Sequence, residues 1–232
     1  MEKILTAQAK AWLQELPENF RATVAGITCE LLTNYPDTLA GMVVGSLAEG
    51  VSDSFSDVDY LYVKDPMIPD DEIVKIKARW PLSHFIFHRP EKLEHHFTHC
   101  TTMAWSIKKG IVLFDRHNLL APFRQRDLGM PSKEWMRSWM TEVDWWPEDP
   151  RGLRHKMLNL GILYLALLGV APTTKHEISK EFRRRVTDKT LLKAMSVAAE
   201  RGTDESEFSE TQLQCLKQAL GMLREELEAT GL

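Results

Sequence analysis

The sequence predicts an α+β fold, a small mixed-sheet domain followed by an all-α antiparallel helical bundle. Three observations lead there. Short apolar segments at 40–45, 58–64, 82–88 and 111–115 all fall in the first half of the chain, with helical periodicity between them. After residue 131 the apolar spacing is helical throughout and no strand pattern recurs. Pro122, Gly129 and Pro131 punctuate the join between the two regimes. A chain of 232 residues is long enough for two small domains. The divisions expected are 1–120, a linker at 121–131, and 132–232.

The elements follow in order. Residues 2–16 and 19–34 have helical periodicity, the second with Phe20, Val24, Ile27 and Leu31 three and four apart. Pro36-Asp37 breaks the chain before the first strand, which contains Met42-Val43-Val44. The second strand contains Tyr60-Leu61-Tyr62-Val63. Asp70 and Asp71 place negative charge where a helix begins, and that helix runs to about Arg79. Leu82 to His88 reads as a strand, with Ser83, Phe85 and Phe87 on one face and His84, Ile86 and His88 on the other. Pro90 opens a short helix through Phe97. Another spans Thr101 to Lys109 and stops at Gly110. Ile111 to Asp115 is the last strand.

The second half reads as helices at 132–144, 151–169, 175–186, 188–200 and 207–229, with Ser132 and Ser206 as caps. The most apolar run, Gly161 to Val170, is too short to span a bilayer and reads as a core helix. Met157, Leu160, Leu163, Tyr164, Leu167 and Leu168 are its packing face.

Composition excludes some functions. Hydrophobic residues make up 44% of the chain, enough for a packed core. The net charge is −4 and the pI is near 6.1. No basic excess is present to neutralise a phosphate backbone, so long nucleic acids are poor candidates for substrate. Cys29, Cys100 and Cys215 are widely spaced with no Cys-x-x-Cys, the pattern of reduced structural residues in a cytoplasmic protein. The first residues, Met-Glu-Lys-Ile-Leu, lack the long apolar segment of a signal peptide.

The stretch between the first two strands carries the chemistry. Gly45 allows a sharp turn and a close approach to the backbone. Ser46 is expected to cap a short helix whose free N–H groups face a phosphate. Gly50 follows four residues later. Asp57 and Asp59 lie one residue apart on a strand and so share a face. Two carboxylates held so close repel each other, and a divalent cation such as Mg²⁺ relieves the repulsion. A phosphate cradle beside a carboxylate pair is what metal-assisted phosphoryl or nucleotidyl transfer needs.

This pattern, Gly-Ser, ten residues, then Asp-x-Asp, resembles the signature of the DNA polymerase β-like nucleotidyltransferase superfamily. Its small bacterial members include aminoglycoside and lincosamide nucleotidyltransferases and minimal nucleotidyltransferases of toxin–antitoxin pairs. The element order extends the likeness over residues 18–116, and Ile111 to Asp115 resembles the apolar strand ending in Asp near the end of many such domains. The helical second half resembles that of the kanamycin and streptomycin adenylyltransferases, and of fused nucleotidyltransferase–HEPN chains.

The resemblance implies Mg²⁺ held by Asp57 and Asp59. It implies ATP or another nucleoside triphosphate as co-substrate, with Gly45, Ser46 and Ser56 at the phosphates. Lys175 corresponds to a lysine that often faces those phosphates from the helical domain. A hydroxyl of a small-molecule acceptor held between the two halves would attack the α-phosphorus and release pyrophosphate. Oligomeric state is open, a homodimer among the options. No membrane association is expected.

One part of the superfamily pattern is missing. An acid usually stands on the strand after Asp-x-Asp, and the segment Leu82 to His88 has none. His84 or His88 could act there as metal ligand or general base, since imidazole titrates near neutrality; a surface or hydrogen-bonded histidine is the structural alternative. Glu142, Asp144, Glu148 and Asp149 crowd around Trp145-Trp146-Pro147, an acidic aromatic edge that could hold a cationic acceptor or simply be a solvated loop anchored by two tryptophans. Arg183-Arg184-Arg185 could neutralise a triphosphate or mark an exposed helix face. His95 and His99 have the spacing of a paired metal site but no third ligand. Arg89 and His95 match the Arg-x5-His spacing of HEPN ribonucleases, but in the wrong half. Two rival classes remain: a regulatory or antitoxin-like protein that binds nucleotide or nucleotidylates a protein partner, and a nucleic-acid-modifying transferase, against which the acidic balance argues.

Overall fold

The computed structural model describes residues 4–52, 56–200 and 208–232. The chain divides into two compact units, Met1–Thr98 with Met103–Leu128, and His99–Thr102 with Gly129–Leu232.

The first unit is built on four strands, β1 (Ala40–Val44), β2 (Val58–Val63), β3 (Ser83–His88) and β4 (Ile111–Asp115). Their order in the sheet is β3-β2-β1-β4. β1 runs antiparallel to β2 and β4, whereas β2 and β3 are parallel, so the sheet is mixed. Both faces are covered, and the strands read as apolar runs for that reason.

Against one face lie α1 (Ala7–Glu15), α2 (Glu18–Asn34) and α4 (Asp70–Arg79), packed on Val43, Tyr60, Tyr62 and Phe85. The three-and-four spacing of Phe20, Val24, Ile27 and Leu31 turns all four into the sheet. Each such buried side chain contributes about 2 kcal/mol of burial free energy. Against the other face lie α5 (Pro90–Thr98), α6 (Thr102–Lys109) and α7 (Ala121–Gln125), packed on Met42, Val44, Leu61 and Val63. A four-residue helical turn, α3 (Gly45–Ala48), follows β1.

Several expected boundaries move, each for a local reason. The first helix starts at Ala7. Thr6 caps it, accepting from the Ala9 N–H at 3.0 Å, and donates to the Val112 carbonyl at 2.8 Å. Residues 2 and 3 of the expected helix lie outside the described residues. The stretch expected as a linker contains α7. Pro122 stands in its first turn, where a missing N–H costs nothing, and Phe123 packs on Phe97 with ring centroids 5.2 Å apart.

The second unit is helical: α8 (Lys133–Asp144), α9 (Pro150–Leu167), α10 (Lys175–Arg185), α11 (Lys189–Ala199) and α12 (Glu210–Ala229). Its core includes Met157, Leu160, Leu163, Phe182, Met195, Leu216 and Leu223. Leu168, expected in the packing face of α9, is instead 39% exposed just past that helix's end. Ser132 caps α8 as expected. Ser206 lies outside the described residues; Ser209 caps α12, in a reciprocal pair with Gln212. Among the described residues no helix is long and apolar enough to cross a membrane.

Candidate functional site

The sheet register assembles the site. Val44, the last residue of β1, stands opposite Asp59 on β2, and Asp59 stands opposite His84 on β3. Gly45 therefore turns away beside the Asp59 side chain. Its φ is +70°, a conformation that favours glycine, and a Cβ built there would collide with Asp59 Oδ2. The residue type at 45 is thus dictated twice, by the backbone and by the carboxylate.

On the other side of Asp59, its Oδ1 lies 3.2 Å from His84 Nδ1. The carboxylate holds the imidazole's proton and pushes its pKa up, the nearby Asp57 charge adding to the effect while partial burial opposes it. His84 is 61% exposed at its side chain and Asp59 26%, so the pair sits at the surface end of a buried strand. Asp57 is exposed and Ser56 half-buried, just before β2 begins. Asp57 precedes Asp59 by two residues, and Asp59 shares its face with Leu61 and Val63, which pack under α5 and α6.

Ser46 departs from expectation. Val44 occupies the cap position of α3 and Ser46 stands inside the turn, in which the Glu49 N–H donates to the Gly45 carbonyl at 3.1 Å. The reason is the left-handed Gly45, which lets the turn start one residue earlier. Lys175 belongs to the second unit, exposed at the first position of α10 after its cap Thr174.

The sequence did not single out Glu49 and Lys109. Glu49 Oε2 lies 3.4 Å from Lys109 Nζ, with the carboxylate only 14% exposed. Lys109 ends α6, and the adjoining Gly110 abuts Val43 and Val44, so this cation reaches the same end of the sheet. No local signal could have found it, because the approach depends on β4 lying beside β1.

Other polar groups are occupied elsewhere. His88 stands four residues beyond His84 and faces His96, with Nε2 atoms 3.1 Å apart. His99 lies past the end of α5 and bonds Ser132 Oγ at 3.0 Å, so it does not share a helix with His95. Asp115 pairs in register with Ala40, at the end of β1 opposite Gly45, and accepts from the Leu120 N–H at 3.0 Å. In the second unit Asp149 caps α9, Asp144 pairs with Arg224 at 2.7 Å, and Trp146 packs edge-on to Trp139. Trp145, expected as an anchor, is 85% exposed. Arg184 and Arg185 pair with Glu181, and Arg183 reaches Ser179.

Among the described residues no group of three or more His, Cys, Asp or Glu is placed to hold a metal ion. Asp59 lies on β2 and Asp57 just ahead of it, not on the strand as expected. Two carboxylates fit Mg²⁺, which commonly takes one or two protein carboxylates and completes its shell with water and substrate phosphate oxygens.

No family model matches the chain, and no curated protein matches it. Among solved structures the chain is similar to a nucleotidyltransferase-like protein from Exiguobacterium sibiricum, with 16% identity, a TM-score of 0.37, and coverage of 89% of this chain and 75% of that one.

Proposed function

We propose that the Gly45–Asp59–His84 end of the sheet is a nucleotide site. The protein transfers a nucleoside monophosphate from a nucleoside triphosphate, ATP among the candidates, to a hydroxyl of a small acceptor and releases pyrophosphate. The observation that carries this reading is convergence. Three segments distant in sequence place a bare backbone turn, a carboxylate and an imidazole side by side. Asp57 and Asp59 would hold Mg²⁺, which when bound supplies charge neutralisation and orientation at the phosphates.

The chain's own residues do the rest. Gly45 and the turn through Ser46 offer backbone N–H groups to phosphate oxygens, Ser56 offers a hydroxyl, and Lys109 adds positive charge. His84 completes the constellation. With Nδ1–H donating to Asp59, its Nε2 carries the free lone pair. That nitrogen takes the acceptor hydroxyl's proton as the hydroxyl oxygen bonds to the α-phosphorus. The bond from the α-phosphorus to the α–β bridging oxygen breaks, and pyrophosphate leaves with the electron pair. His84 would take the role that an acid on this strand usually has in the superfamily that the sequence resembles.

A second reading has one observation in its favour. β3 carries no acid, which suits a protein that binds nucleotide without transferring it. Transfer of α-labelled ATP or GTP, with pyrophosphate release, separates the two. The acceptors to screen are aminoglycosides, lincosamides and tyrosine-bearing proteins. Transfer is expected to fall at least about a hundredfold in Asp57→Asn and in Asp59→Asn. Mg²⁺-dependent nucleotide binding with no turnover on any acceptor would support binding alone and sink the transferase reading.

A further inference from the structure

The helical unit contains a cavity of about 310 Å³, at the small end of the range for ligand sites. One wall comes from α9, where Leu153, Lys156 and Leu160 share a face, and the other from α12, through Lys217, Leu220, Gly221 and Arg224. Asp144 and Glu148 complete the rim.

The charges in this cavity are unevenly matched. Lys156 is only 9% exposed, yet its ammonium donates to the Asp144 backbone carbonyl at 3.1 Å and to no carboxylate among the described residues. The stem of Lys156 is buried while its ammonium lines the cavity with donors to spare. The Asp144 carboxylate does not pair with it, being engaged by Arg224 at 2.7 Å. Lys217 makes no ion pair among the described residues, which leaves Glu148 as the other anion at the rim. Three leucines supply an apolar wall. Gly221 has open space where a Cβ would stand, so the mouth on α12 is unobstructed.

We infer that this cavity binds a small organic anion, with its phosphate or carboxylate on Lys156 and Lys217 and its apolar body on Leu153, Leu160 and Leu220. The inference stands independently of the nucleotide site in the first unit.

The test is a titration of the full chain with phenyl phosphate, benzoate and neutral benzyl alcohol. It is read from the methyl resonances of Leu153, Leu160 and Leu220. At least one anion should shift them saturably, and which one identifies the anionic group; benzyl alcohol should not. Lys156→Met should weaken binding about tenfold. Gly221→Leu, which replaces a poor helix former by a good one and fills the mouth, should abolish it in a folded protein. Absence of saturable shifts up to about 10 mM, equal binding of benzyl alcohol, or unchanged affinity in Gly221→Leu would overturn the proposal. Persistence of binding in the Asp57→Asn/Asp59→Asn double variant is expected, and its loss there would place the anion in the first unit instead.

Discussion

The two ends of the four-stranded sheet use similar residues to opposite effect. β3 carries His84 and His88 on one face, four residues and roughly 13 Å apart. At the Gly45 end, His84 is exposed beside a carboxylate that raises its pKa. At the other end, His88 faces a second imidazole, and burial lowers its pKa. Each end also has an aspartate. Asp59 lies between a glycine turn and His84, whereas Asp115 serves a backbone N–H of Leu120. Two further polar pairs at the second end are internal: Lys64 with Asp37 at 2.5 Å, and Tyr62 with Thr38. At one end the histidine and the lysine face internal partners; at the other, charged groups lie adjacent and accessible. That contrast, more than any residue type, marks the functional end.

The contrast can be broken at several points. The largest effect is expected on transfer itself. His84→Ala should lower kcat about a hundredfold, the usual scale for a lost general base, while His88→Ala should leave kcat unchanged and reduce stability. Equal losses in both would erase the distinction. Next come the two left-handed glycines of the signature turn. Gly45 and Gly50 have φ of +70° and +69°, but only Gly45 has a carboxylate where a Cβ would go. Gly50→Ala should cost about 1 kcal/mol and Gly45→Ala about 3 kcal/mol by urea unfolding. Equal costs would mean that Asp59 yields easily.

The smallest effect is a pH dependence at the closed end. Burial, with the neighbouring His88 and Lys92 charges, depresses the pKa of His96 from 6.5 to about 3. The unfolded chain therefore takes up this proton first. The stability His96 contributes is fully present above pH 6.5 and is lost as pH falls toward about 3. In urea midpoints measured at pH 7.5 and 5, His96→Phe should fall less on acidification than the parent. A parallel fall would remove His96 as the cause.

The sequence made the local parts of this picture legible. Apolar runs placed β2 and β3, three-and-four spacing placed α2, an acidic start placed α4, and the face assignment of His84 with His88 followed from the pleat alone. What it could not show depends on which strands lie side by side. The strand order puts Asp115 at the far end from Gly45, although both adjoin β1. The His88–His96 contact joins β3 to α5, a pairing with no signature in local spacing. Lys109 reaches Glu49 because β4 lies beside β1. Ser46 failed as a cap for a subtler reason: the glycine before it changed where the turn begins.

The most direct test is calorimetric titration with ATP and GTP, with and without Mg²⁺, of the parent protein and the Asp57→Asn/Asp59→Asn double variant. The account predicts binding of at least one nucleotide that requires Mg²⁺ and disappears in the variant. Failure of the parent to bind either nucleotide, or equal binding by the variant, would contradict it.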